Sequence, residues 1–347
     1  MPIVQSFPLP VLIADIGGTN ARFALIEQHE RAPRPLGTVR TSDFADFPTA
    51  ARTMLANAKA PSPRTLMVDG AGPVVGNEIK LTNANWRLVI DDIGRDLGVE
   101  VAMLLNDFEA LSLSLPFLPS SGMRQVGRQV PGRFGAKVVV GPGTGLGATT
   151  LIEVNNTFVP VPSECGMSDI GPVTAAEEDI WPHLDRHVGE PPEGHVARGR
   201  IYAEWLLSGS GLERIYQGIC RQQDKPLPAI SAAAIGEAAN AGSDPMATAA
   251  VDLFLGLLAR YSGDLALIVK ATGGVYLAGG VVQRLAALLD EVEFRKRFEA
   301  KSPLDGLMRT IATSLVTLDV PAFIGLAAYA RAPDRFHLTL DQRFWQR

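Results

Sequence analysis

The chain alternates short apolar runs with glycine-bearing polar breaks. VLIAD (11–15) and RFALIE (22–27) flank the reversal Ile16-Gly17-Gly18-Thr19-Asn20, a spacing that predicts a β-hairpin. TLMVDGAGPVV (65–75) reads as a strand and a turn, and LVIDDIGRDLG (88–98) as a helix. VEVAMLLNDFEALSLSLPFL (99–118) reads as a strand that passes into a helix at Asn106-Asp107. Proline and glycine then cluster between Pro116 and Gly135, which predicts a domain crossing. AKVVVGPGTGLGATTLIEV (136–154) is a second hairpin. It repeats the device of the first, with two apolar strands around a turn of Gly and Thr.

Beyond this point the apolar spacing becomes helical. GRIYAEWLLSGSGLERIYQGICRQ (199–222) is helical with a break at Ser208-Gly209, and 231–242 and 244–272 predict two more helices. GGVYLAGGVVQRLAALLDE (273–291) reads as a strand, a Gly-Gly turn and a helix; LVTLDVPAFIGLAAYAR (315–331) closes with a strand and a helix. The pattern is α/β with a helical block in its second half.

A length of 347 residues allows about two domains. The net charge of −5 argues against a general nucleic-acid binder, which needs a basic face. Cys165 and Cys220 are too few for a disulfide framework, so a reducing cytoplasm is expected. The N-terminus MPIVQSFPLP has neither a basic start nor an apolar core, so no signal peptide is expected. Charged residues and glycines interrupt every apolar run, so no membrane span is expected either.

The chemistry sits in the turns. Gly17-Gly18 removes two β-carbons and lets backbone N–H groups approach an anion, with side-chain donors from Thr19 and Asn20. Asp15 would repel a phosphate unless a cation stood between them, which points to Mg²⁺ beside a polyphosphate, held by Asp15 through water or phosphate. Gly143-Thr144-Gly145 and Gly279-Gly280 are further glycine turns, and the last opens a helix. None fits the P-loop pattern, and Leu146 breaks GxGxxG. Asp107, at the end of an apolar strand, is placed either to accept a proton from a reacting hydroxyl or to cap the helix it opens. Glu204 lies in an otherwise apolar helix face, where a lone carboxylate is costly without partners. His183 and His187 stand four apart beside Glu178 and Asp179, but Pro182 disfavours a regular helix there, and a surface role is expected.

LIADIGGTNARFAL, LLNDFEAL, GPGTGLGATTLI, PSECG, AEWLLSGSGLERIY and GGVYLAGGVV follow one another in order over nearly the whole chain. This set resembles the bacterial glucokinase family of the hexokinase/actin-like ATPase superfamily. The resemblance implies a two-lobed, ribonuclease-H-like α/β fold with a cleft between a small domain (1–117 plus 319–347) and a larger, more helical one (118–318). It implies ATP and Mg²⁺ as cofactors, a sugar as second substrate and a homodimer as the family-style assembly. Phosphates would be held by Ala14, Asp15, Ile16, Gly17, Gly18, Thr19 and Asn20, and across the cleft by Gly143 and Thr144. Gly279 and Gly280 would lie near the adenosine. Asp107 would be the catalytic base, and Asn106, Asp107, Glu164 and Glu204, with Asn83 at the cleft wall, would bind the sugar.

One position departs from the family. Its sugar loop usually reads Glu-Gly-Gly-His; here it is Glu164-Cys165-Gly166-Met167. A thioether cannot donate a hydrogen bond, and losing one to a buried hydroxyl costs about 1–3 kcal/mol. The expected activity is therefore glucose to glucose 6-phosphate or phosphorylation of another hexose. A sugar-responsive regulator would need a helix-turn-helix before VLIAD, where only ten residues stand. The NDFEA motif and the sugar-loop glutamates argue against a phosphatase or ATPase on the same fold.

Overall fold

The computed structural model describes residues 6–28, 32–81, 86–188 and 199–347. By contact the chain separates into two compact units. One comprises Met1–Gly122, Leu151–Pro162 and Leu318–Arg347; the other comprises Met123–Thr150 and Ser163–Thr317.

The first sheet runs, in spatial order, Phe344–Gln346, Val101–Asn106, Thr65–Gly70, Val11–Ile16, Asn20–Ile26 and Arg34–Arg40. Val11–Ile16, Thr65–Gly70 and Val101–Asn106 are parallel, Asn20–Ile26 is antiparallel to Val11–Ile16 and Arg34–Arg40 antiparallel to Asn20–Ile26, and Phe344–Gln346 closes the other edge antiparallel. The parallel strands read as near-continuous apolar runs because both faces of such a sheet are covered. All six residues of Thr65–Gly70 are buried. The glycine turn and the expected first hairpin are where the apolar pattern puts them.

The second sheet runs Thr157–Ser163, Leu146–Val154, Lys137–Pro142, Val275–Leu277, Thr313–Val316 and Met123–Gln125. Its central strands are again parallel and its last edge strand antiparallel. The two orders are the same: a three-strand meander, two parallel strands beyond its first strand, and an antiparallel edge. The likeness of the two glycine hairpins in sequence is thus one visible part of a doubled architecture, the ribonuclease-H-like α/β arrangement.

The helical block lies in the second unit. The helix Pro245–Ile268 starts at Asp244, whose side chain accepts from the Met246 N–H, and its apolar face fills the centre of that unit's core. The break at Ser208 is a cap: its hydroxyl accepts from the Gly211 N–H and starts the helix Gly209–Gln222. The run 281–289 is less helical than its spacing suggests. Regular helix covers only Gly280–Arg284, after which the chain continues in tighter turns such as Leu288 N–H to the Leu285 carbonyl. In the first unit Gly325 lets the helix Ala322–Arg331 meet Asp107–Ser114 backbone to backbone; a β-carbon there would lie 2.4 Å from the Ala110 carbonyl oxygen. Among the described residues no helix is long and apolar enough to cross a membrane.

Candidate active site

In the first unit the parallel strands bring acidic residues to one sheet edge. Register pairs Asp15 with Asp69 and Gly70 with Asn106 on neighbouring strands. Asp107 follows as the first residue of Asp107–Ser114. The cap on that helix falls to Asn106, whose Oδ1 accepts from the N–H groups of Phe108 (3.0 Å) and Glu109 (3.3 Å). Asn106 Nδ2 donates to the Gly72 carbonyl at 3.0 Å. The cap and the proposed base are therefore two adjacent residues with separate jobs. Among the described residues Asp107 has a local contact to the Phe108 N–H (3.0 Å) and no ion-pair partner. Burial of its carboxyl and, next, the negative charge of Asp15 push its pKa up to about 7, against the lowering effect of the Phe108 N–H.

Asp15 is held by Arg22, directly opposite on the hairpin, through a 2.9 Å bond from Nη1 to Oδ2. Asp69 is fully buried and neither carboxyl oxygen has a donor from the protein. Burial first, then Asp15 and Asp107, hold its pKa well above the usual carboxylate range, opposed only by Arg22. Asp69 and Arg22 were not singled out from the sequence. Both signals were present: TLMVD ends in an aspartate as VAMLLND does, and the hairpin register puts Arg22 across from Asp15.

The first turn closes with the Gly17 N–H donating to the Asn20 carbonyl at 2.9 Å. Thr41 clamps it from outside, its N–H to the Thr19 carbonyl (2.9 Å) and its hydroxyl near the Gly18 and Thr19 carbonyls. The Gly17 N–H is thus spent inside the turn, while among the described residues those of Gly18 and Thr19 have no protein acceptor. Ala14 and Ile16 are core residues with their main chain in the sheet, and they act by placing Asp15. Asn83 lies outside the described residues.

The second unit carries the other half of the expected residues. At its hairpin turn the Gly143 N–H donates to the Gly145 carbonyl (2.8 Å), Thr144 is exposed, and a β-carbon on Gly143 would meet open space. Glu204 Oε2 accepts from the Leu146 N–H at 2.8 Å, and a β-carbon on Gly145 would fall 2.4 Å from that oxygen. The costly carboxylate of the apolar helix face has thus found a backbone donor, and Gly145 makes room for it. Gly279, at φ 89°, has the left-handed backbone that favours glycine, and a β-carbon there would press on the Pro142 carbonyl at 2.6 Å. Gly279-Gly280 therefore has a packing reason of its own.

The loop Glu164–Ser168 is fastened by its main chain. The Tyr261 hydroxyl donates to the Cys165 carbonyl at 2.5 Å and meets the Ser168 hydroxyl at 2.7 Å. Arg200 donates to the Met167 carbonyl and to Asp169 (2.7 Å). Glu164 and Met167 keep exposed side chains, Met167 at 42%. Burial pushes the Cys165 thiol up, so it stays protonated and packs. His187 stacks edge-on with Tyr202 and Trp205.

The glucokinase family model matches residues 12–333. A curated glucokinase of Rhizobium meliloti (strain 1021) is 41% identical over 343 residues, 99% of this chain and 98% of that protein. The crystal structure of a glucokinase from an Antarctic psychrotroph superposes with a TM-score of 0.77 at 27% identity, covering 92% of this chain and 98% of the other. A ROK family glucokinase from Streptomyces griseus, solved with glucose and AMPPNP, shares the fold at a TM-score of 0.60 and 19% identity, over 93% of this chain and 99% of its own.

Proposed function

We infer the activity from one premise: the chain belongs to the glucokinase family. It is an ATP-dependent sugar kinase, and glucose to glucose 6-phosphate is the reaction proposed. The observation that carries this is Asp107: a carboxylate at a strand end, relieved of capping by Asn106, without an ion-pair partner among the described residues and poised near neutral pH. A general base works best with a pKa near the operating pH. Asp107 would take the proton of the sugar hydroxyl as its oxygen bonds to the γ-phosphorus. The bond from that phosphorus to the β–γ bridging oxygen breaks, and ADP leaves.

The remaining roles are assigned with it. Asn106, Asn83, Glu164 and Glu204 are assigned to the sugar hydroxyls. The turn Gly17-Gly18-Thr19-Asn20 would receive phosphate oxygens on the N–H groups of Gly18 and Thr19, and Gly143 and Thr144 form the second phosphate turn. Gly279 and Gly280 are assigned to the adenosine side. The acidic edge fits Mg²⁺: among the described residues Asp15 is ion-paired only with Arg22, and neither Asp69 nor Asp107 has an ion-pair partner. Mg²⁺ bound near Asp15 would neutralise charge on the phosphates. We propose a small domain of 1–117 with 319–347 and a large one of 118–318, a homodimer, and action in the cytoplasm.

A coupled ADP-release screen over glucose, mannose, fructose and N-acetylated hexosamines tests the reading. ATP turnover that depends on glucose supports it; turnover indifferent to any sugar overturns it. Met167, exposed in the sugar loop where the family has a histidine, supports a second reading with another hexose. That reading requires a sugar in the screen that outperforms glucose.

A further inference from the structure

Asp69 carries no assigned role of its own, yet among the described residues of the first unit its carboxyl is buried without a hydrogen-bond donor. It sits at 0% exposure with no donor on either oxygen. A buried carboxylate normally carries a hydrogen-bonding or cationic partner, because taking an ion out of water costs several kcal/mol. Another carboxyl, Asp15, stands in register on the adjoining parallel strand and within hydrogen-bond reach. Two carboxyls that close cannot both stay ionised unless a cation stands between them; without one, they keep a proton. Arg22 meets Asp15 on its Oδ2 and makes no bond to Asp69. Asp15 is not sealed off; 17% of its side chain reaches the surface, which leaves an approach for a small hydrated ion.

We propose that Asp69 and Asp15 together form a divalent-cation site, with Asp69 as the inner carboxylate. The inference rests on the assignment of Mg²⁺ to Asp15 and adds a second ligand that the family motifs do not contain. Mg²⁺ suits such a pair. It is held by one or two carboxylates and fills its remaining positions with water and substrate phosphate, so a full protein cage is not needed. Among the described residues no group of three potential ligands stands close enough to make one. Asp107, the third carboxyl of the edge, is thereby left outside the ion's protein ligands and free to handle the sugar's proton.

Mn²⁺ titration of the nucleotide-free protein, read by the electron paramagnetic resonance signal of free Mn²⁺, tests the pair without any catalytic readout. Wild type should take up one Mn²⁺. Asp69→Asn, which keeps the side chain's shape, should weaken binding at least tenfold, as should Asp15→Asn. Thermal melts give a second readout: Mn²⁺ should raise the midpoint of wild type and leave that of Asp69→Asn unmoved. If Asp69→Asn binds Mn²⁺ like wild type while Asp15→Asn does not, the inner-ligand role is overturned and Mg²⁺ at Asp15 stands. If both variants bind like wild type, or wild type binds none up to about 10 mM, the pair is no cation site. Sugar phosphorylation is judged separately, by ADP release.

Discussion

Asp69 and Glu109 are buried alike, 0% and 1% exposed, and both lie in the first unit. What faces them differs. Glu109 receives two bonds from the Arg343 guanidinium, 2.6 and 3.2 Å long. Glu177, at 2% exposure in the second unit, accepts the Val173 N–H at 2.7 Å and has Arg260 at 3.5 Å. Asp69 has neither arginine nor N–H, and it shares its edge with two more carboxyls. The chain therefore can neutralise a buried carboxylate where structure requires it. At the ends of the parallel strands it leaves carboxyls without such partners, and burial with their mutual repulsion raises the pKa of Asp69 and Asp107. A carboxyl left without a protein partner is open to a proton, a cation or a reacting hydroxyl, which is how perturbed groups come to mark functional sites.

The largest test of this contrast is Asp107→Asn. Sugar-dependent ADP release should fall 10²–10⁴-fold, the usual worth of a positioned base. The fold should survive and gain stability. A carboxyl whose folded pKa is raised stabilises the protein while protonated and loses that contribution as pH rises through about 7. Melting of the variant at pH 8 should therefore lie above that of wild type, whereas a lowered midpoint would show that Asp107 is structural. In wild type the same group predicts kcat/KM falling about tenfold per pH unit below about 7.

Arg343→Met attacks the other side of the comparison. It strands Glu109 as a buried unpaired charge and should cost about 3–5 kcal/mol in urea unfolding. A loss under about 1 kcal/mol would mean that the pair contributes no more than a surface contact.

Gly145→Ala asks whether Glu204 belongs with the structural or the functional carboxylates. The new methyl would displace Glu204 Oε2 from the Leu146 N–H. Loss of about 1–3 kcal/mol should appear as a raised KM for the sugar with the KM for ATP little changed. Equal changes in both would make Glu204 a strut of the hairpin.

The smallest effect belongs to Met167→His. Its side chain is exposed and the loop is held by Tyr261 and Arg200 through main-chain atoms, so the exchange should leave the loop in place. Restoring a donor should tighten glucose binding by about 1 kcal/mol, roughly fivefold. Wild type binding glucose as tightly as the variant, with no better sugar in the screen, would make Met167 a neutral replacement.

Much of this was legible in the chain. VLIAD, TLMVD and VAMLLN are apolar runs of strand length, and a parallel sheet covered on both faces needs such runs. The glycines between VLIAD and RFALIE mark the hairpin because few other residues turn so tightly. Asp107 stood out because it ends a strand and starts a helix. The short strands were not legible: Arg34–Arg40 is largely exposed and carries only a weak apolar alternation, and Phe344–Gln346 is strand only because Val101–Asn106 offers it an open edge.

The sequence by itself determined the order of elements, the two glycine hairpins, and which residue types were available at each turn, since these depend on local periodicity and backbone freedom. Tertiary structure alone decided which of those residues meet. Asp69 is one aspartate among many until two parallel strands align it with Asp15; Glu204 is a helix glutamate until Gly145 lets it reach the Leu146 N–H. Asn106 and Asp107 are interchangeable caps on paper, and only the placed side chain of Asn106 frees its neighbour. The reason is one of range. Propensity acts over a few residues, whereas burial and charge act between residues that the chain separates by fifty or more and the fold brings within hydrogen-bond distance.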